Sequence, residues 1–115
     1  MHVTRIEDAR PYDAPGHFDM RGLRLQGFDV SPTQAFWIGL SCFLPSGGAE
    51  EDAGPLEKVY IVLDGEVTVT TAKGDTVLHA LDSCHIAAGE ARSITNASNR
   101  PASMLVVMPH PEGLR

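Results

Sequence analysis

Residues 56–66 read Leu56-Glu57-Lys58-Val59-Tyr60-Ile61-Val62-Leu63-Asp64-Gly65-Glu66, and the fold is decided here. A short run rich in β-branched and aromatic residues ends on Asp-Gly, a pair that tolerates turn dihedrals and favours a hairpin. Beyond it Val67 and Val69 alternate with Thr68 and Thr70, the period of a strand with one buried and one wetter face. The run from Lys58 to Leu63 carries apolar residues at both parities, which predicts a strand covered on both faces.

The same grammar continues outward. Upstream, Phe36 to Leu44 reads as a long strand that Pro45-Ser46-Gly47-Gly48 should end, followed by a polar loop from Ala49 to Glu57. Downstream, Thr76 to Leu81, Cys84 to Ala87 and Ala91 to Ala97 read as short strands between turns, and Ala102 to Met108 as an apolar central strand. Short strands at this spacing, with hardly a helical period among them, give an all-β sandwich or barrel. Pro11, Pro15, Gly16, Gly22 and Gly27 break the opening residues, so residues 1–35 are expected to form an arm with short strands, residues 36–108 the barrel and residues 109–115 a tail. Such an arm covers an open edge or pairs with a second subunit.

Composition narrows function by exclusion. A chain of 115 residues with net charge −6 is one acidic domain whose scattered basic residues do not make a nucleic-acid surface. The apolar runs are shorter than the ~20 residues of a membrane span, and the opening residues lack the apolar core of a secretion signal. A cytoplasmic location with no membrane partner is expected. Cys42 and Cys84 stand far apart and read as buried or half-buried thiols. No glycine-rich phosphate loop precedes a helix, so no nucleotide or flavin cofactor is expected.

Two stretches resemble the paired motifs of the cupin superfamily, and in particular its small single-domain conserved-barrel members. Pro45 to Gly65 resembles the frame of the first motif, with Gly65 as its closing glycine. Gly74 to Asn96 follows the outline of the second, with Gly89 at the turn glycine and Asn96 at the final asparagine. The resemblance implies a jelly-roll β-barrel over residues 36–108 and a homodimer. It also places the usual metal ligands at Asp52, Gly54, Lys58 and Arg92; a register shifted by one would use Glu51 and Ala53 in place of the first two. Neither register supplies a histidine, and two fixed cations would repel a divalent ion, so no metal and no other cofactor is expected.

If the resemblance fixes the strand faces, Lys58, Tyr60 and Val62 point into the barrel with Arg92 opposite. Arg92 would hold a carboxylate in its planar fork, while Lys58 or Tyr60 handles a proton as the catalytic group. His79 and His85 are further candidates for substrate binding at the barrel mouth, whereas His2, His17 and His110 are expected in solvent. A nonstandard metal site of His85 with Glu51 or Asp52 is a lesser possibility, and Trp37, Phe36 and Phe43 read as core or interface. Lys58 and Arg92 could instead be neutralised by Glu50, Glu51, Asp52, Glu57 or Glu90. The leading expectation is a pocket for a small organic acid, performing a metal-independent isomerisation, decarboxylation or lyase reaction. The competing one is a noncatalytic ligand-binding or regulatory module.

Overall fold

A computed structural model describes residues 1–111. After a single 3-10 turn at Ile6–Asp8, all regular structure in them is strand: β1 (Arg10–Tyr12), β2 (His17–Gln26), β3 (Phe36–Asp52), β4 (Lys58–Asp64), β5 (Glu66–Thr71), β6 (Gly74–His79), β7 (Ser83–Ile86), β8 (Arg92–Thr95) and β9 (Ala102–Pro109). The strands pair antiparallel in the order β6-β5-β8-β3-β9-β4-β7, with β2 added to β3 and β1 added to β2. The result is the expected all-β jelly roll, a nearly closed barrel. Gly113, assigned to the tail, lies outside the described residues.

The expected strands from residue 58 onward recur within a few residues of their predicted bounds, and Ala102–Pro109 is central as predicted, flanked by β3 and β4. The arm resolves into β1 and β2, and β2 runs along β3 from His17↔Ala49 to Gln26↔Ile38. It therefore covers an edge within its own barrel.

Three readings need correction. Asp64-Gly65 turns the chain, with Gly65 at φ 77°, but does not close a hairpin: β4 pairs with β7 and β9, while β5 pairs with β6 and β8. With both edges of β4 taken, the turn sends the chain to the other half of the barrel. Pro45-Ser46-Gly47-Gly48 does not end the first long strand either, because β3 bends there and continues to Asp52. The missing Cβ atoms at Gly47 and Gly48 admit the Asp19 and Ile94 carbonyl oxygens into close contact, and Ser46 takes φ 69°. Finally, β4 is not covered on both faces: Lys58, Tyr60 and Val62 are buried, whereas Val59 and Ile61 are half-buried and Leu63 is exposed.

The interior is filled by inward residues of facing strands, among them Phe43, Val62, Val67, Ile94 and Met104. Each fully buried side chain of this size contributes roughly 1.5–3 kcal/mol. Asn96 shares that interior without exposure. Its amide donates to the Arg100 carbonyl at 2.7 Å and, at longer range, to the Leu44 and Phe43 carbonyls, while its oxygen accepts from the Ser98 amide and hydroxyl. One side chain thus satisfies the β3 bend and the turn before β9.

Asn96→Ala strips these partners from buried carbonyls, so we expect a loss of about 2–4 kcal/mol, read as a lower urea midpoint at unchanged m-value. A shift below about 0.5 kcal/mol, ordinary for a surface substitution, would show that the network does not hold the bend.

Candidate functional site

The period of two decides what faces inward. On β4 it delivers Lys58, Tyr60 and Val62, and on β8 it delivers Arg92 and Ile94, all buried. Arg92 Nε donates to the Tyr60 hydroxyl at 2.8 Å, and its Nη1 donates to the Glu50 carbonyl at 3.0 Å. Asp52 stands opposite Arg92 in the β3–β8 ladder. Gly54 joins them: a Cβ built there would lie 3.5 Å from Lys58 Nζ and 4.0 Å from Asp52 Oδ2. The structure therefore brings residues 52, 54, 58 and 92 together, as the first of the two registers placed them.

They form one end of a cavity of about 360 Å³. Its apolar wall includes Trp37, Ile94, Met104 and Val106, and the arm closes one side with Tyr12, Asp13, His17 and Arg24. Among the described residues the ion pairs involve Arg10, His79 and His85, so neither Lys58 nor Arg92 is in direct ion-pair contact with the acidic residues considered above, although the charge of Asp52 reaches Lys58. Two cations thus share one apolar cup.

Their electrostatics follow from that. Burial pushes the Lys58 ammonium below the ordinary lysine value, the Arg92 charge pushes it the same way, and the Asp52 carboxylate opposes both. Burial raises the Tyr60 phenol, with Arg92 lowering it through charge and hydrogen bond. Tyr60 therefore stays protonated at neutral pH and Lys58 releases its proton more readily than a surface lysine. Cys42 and Cys84 are half-buried free thiols, both raised by burial.

At the positions that the resemblance gave to metal ligands, the groups brought together are one carboxylate, a glycine, an ammonium and a guanidinium. This set does not fit a divalent cation. Among the described residues no group of three His, Cys, Asp or Glu side chains is placed to hold one.

The remaining histidines are redistributed. His79 and His85 do not reach the cup: His79 faces solvent beside Glu66 and Asp82, and His85 pairs with Glu57 at 2.8 Å on the exposed side of β7. His85 alternates out of the barrel while its neighbour Ile86 alternates in. His17, expected in solvent, lines the cavity, and His110, expected in the tail, is buried with Nε2 3.2 Å from the Thr33 hydroxyl. Trp37, read as core or interface, is buried and also forms cavity wall. Sequence reasoning missed Tyr12, Asp13 and Arg24, because an arm broken by proline and glycine has no periodicity to say which side chains turn inward. The charged residue on the strand-like segment Leu23-Arg24-Leu25 was the available signal.

A family model described as cupin domain matches residues 39–108. A protein named beta-D-galactosidase Rv1717, from Mycobacterium tuberculosis, is 47% identical over 111 residues, spanning 96% of this chain and 96% of that one. Among solved structures, the polyketide cyclase RemF from Streptomyces resistomycificus superposes with TM-score 0.84 at 17% identity, covering 95% of this chain and 79% of that one. An RmlC-like cupin from Shewanella frigidimarina gives TM-score 0.78 at 15% identity, covering 98% and 94%. At such identities the two structures speak to the fold alone.

A lysine whose pKa is depressed by folding binds its proton more tightly in the unfolded chain, so its burial costs stability in full below the folded value and the cost fades as pH rises from there to the ordinary lysine value. Lys58→Met removes that cost. The variant is expected to melt higher than the wild type at neutral pH, with the difference shrinking as pH rises toward the ordinary lysine value. A variant that melts lower at neutral pH would show instead that the ammonium holds the cup together.

Proposed function

The chain belongs to the cupin-domain family, and on that premise we propose that it is a glycoside hydrolase acting on β-galactosides in the cup formed by Asp52, Lys58, Tyr60 and Arg92. The observation that carries this reading is the placement of an unpaired, easily deprotonated ammonium beside a carboxylate in a cavity large enough for one sugar ring. The near full-length similarity to a beta-D-galactosidase supports the choice of sugar.

Glycoside hydrolysis needs an acid for the leaving oxygen and a base for the entering water. Lys58 fills the first role: its ammonium gives a proton to the glycosidic oxygen as the bond to the anomeric carbon breaks. Asp52 fills the second, taking a proton from the water that bonds to that carbon. Return of this proton from Asp52 to Lys58 through solvent restores both groups, so a galactoside and water become galactose and an alcohol. Arg92, fixed by Tyr60 and the Glu50 carbonyl, keeps donors for the ring hydroxyls. Trp37 and the methionines of the wall exclude water from the ring's apolar face.

A second reading is favoured by the same pair of cations. Lys58 and Arg92 would also suit a small organic acid, with Arg92 holding the carboxylate and Lys58 or Tyr60 moving a proton in a metal-independent isomerisation, decarboxylation or elimination. A cup that binds such an acid without turning it over would be the regulatory module. We further propose a homodimer, supported by the half-buried outer face of β4 and the exposed Leu63.

Release of nitrophenol from nitrophenyl β-D-galactopyranoside by untagged protein tests the leading reading. Lys58→Met and Asp52→Asn are each expected to lower kcat by about a hundredfold or more while the fold persists. The alkaline limb of the wild-type pH profile should lie below the ordinary lysine value and belong to Lys58. No hydrolysis by the wild type, together with turnover or binding of small keto acids, would replace this reading with the second.

A further inference from the structure

Arg24 lies on β2 opposite Gly39 of β3, and its side chain forms part of the cavity wall. Its guanidinium carbon sits 3.6 Å from the centre of the Phe28 ring, 4.6 Å from that of Tyr12 and 5.6 Å from that of Trp37. The rings are braced in turn: Trp37 meets Tyr12 and Phe28 edge-on, with centroids 5.8 and 5.4 Å apart. Gly22 leaves the floor on which Tyr12 rests, since a Cβ there would stand 3.0 Å from the ring. Phe28 reaches its place with φ at 53°, a left-handed conformation that a bulky residue seldom adopts.

This arrangement costs the fold something. Arg24 Nε is buried without a partner, and among the described residues no carboxylate forms an ion pair with the guanidinium. Stacked ring faces fix the plane of a guanidinium but do not use its in-plane donors. A cluster serving packing alone would gain from an aliphatic residue here. The cavity is also cationic against the rest of the chain: Arg24, Lys58 and Arg92 outnumber Asp13 and Asp52 in its lining, while the chain carries net charge −6. Such a cup concentrates anions.

We propose that Arg24 is a specificity-determining residue that receives an anionic group on the sugar, so that the substrate class is acidic β-galactosides, bearing a carboxylate or a phosphate, rather than neutral ones. This rests on the galactoside reading and goes beyond it, because Arg24 has no part in the acid and base steps. Arg92 at one wall and Arg24 at another would then orient the ring between two forks, one for hydroxyls and one for the anion.

Calorimetric titration with methyl β-D-galactopyranoside, its uronate and its derivative phosphorylated at the primary hydroxyl tests this. The wild type should bind at least one acidic ligand roughly tenfold tighter than the neutral one, a preference that weakens with added salt. Which acidic ligand binds tells carboxylate from phosphate. In Arg24→Met the ratio of affinities should fall toward one, and Arg24→Lys, which keeps charge without the stacked fork, should retain part of it. If Arg24→Met does not fold, the lysine variant and the salt dependence still decide. Equal binding of neutral and acidic ligands by the wild type, or a preference that survives in both variants, overturns the inference and leaves the galactoside reading standing. Binding of none of the three overturns both.

Discussion

The buried hydrogen bond from Arg92 to the Tyr60 hydroxyl, 2.8 Å long, joins β8 to β4 across the interior, and the site is organised around it. These strands belong to different ladders, β8 between β5 and β3 and β4 between β9 and β7. A guanidinium with one donor on a phenol and another on a backbone carbonyl cannot swing, so its charge is fixed beside Lys58. That fixed charge and the apolar wall act in the same direction on the ammonium, lowering its hold on a proton. The same bond occupies a lone pair of the Tyr60 oxygen and leaves its O–H free to donate into the cup.

Much of this was legible in the residues. A period of two groups Lys58, Tyr60 and Val62 on one side of β4, but with apolar residues at both parities it was the resemblance, not the alternation, that turned that side inward. Arg92 followed from the match of Gly74 to Asn96 to the second motif. His79 and His85 were placed at the barrel mouth without such a constraint. In a strand of four residues, Ser83–Ile86, parity was set by Ile86, which takes the interior and leaves His85 to Glu57. Local composition also could not reveal that β3 continues through a proline and two glycines. The reason lies in strands distant in sequence: backbone from β2 and β8 presses into the space that Gly47 and Gly48 leave. The Asp64-Gly65 turn failed as a hairpin for a related reason, since competition for the edges of β4 is settled by β7 and β9.

The arm forms the one or two strands expected of it and covers an edge, and it is where the site gains most from the structure. Its ten-residue strand is longer than the short pieces expected, and together with its short companion and the residues between them it supplies a charged and aromatic side to the cavity. A motif comparison over the barrel alone describes a cup with two cations. With the arm in place the cup has a third cation, stacked on rings, and a second entrance wall.

The order of the strands along the chain has a consequence for how the protein comes to exist. β9, the last strand among the described residues, lies between β3 and β4 and is paired with each over most of its length. Without residues 102–109 one edge of β4 and the 36–43 stretch of β3 on the same side have no partner, and the contacts that close the barrel span much of the chain. Closure of the barrel therefore waits on residues 102–109, and contacts of such sequence separation are the kind that slow folding.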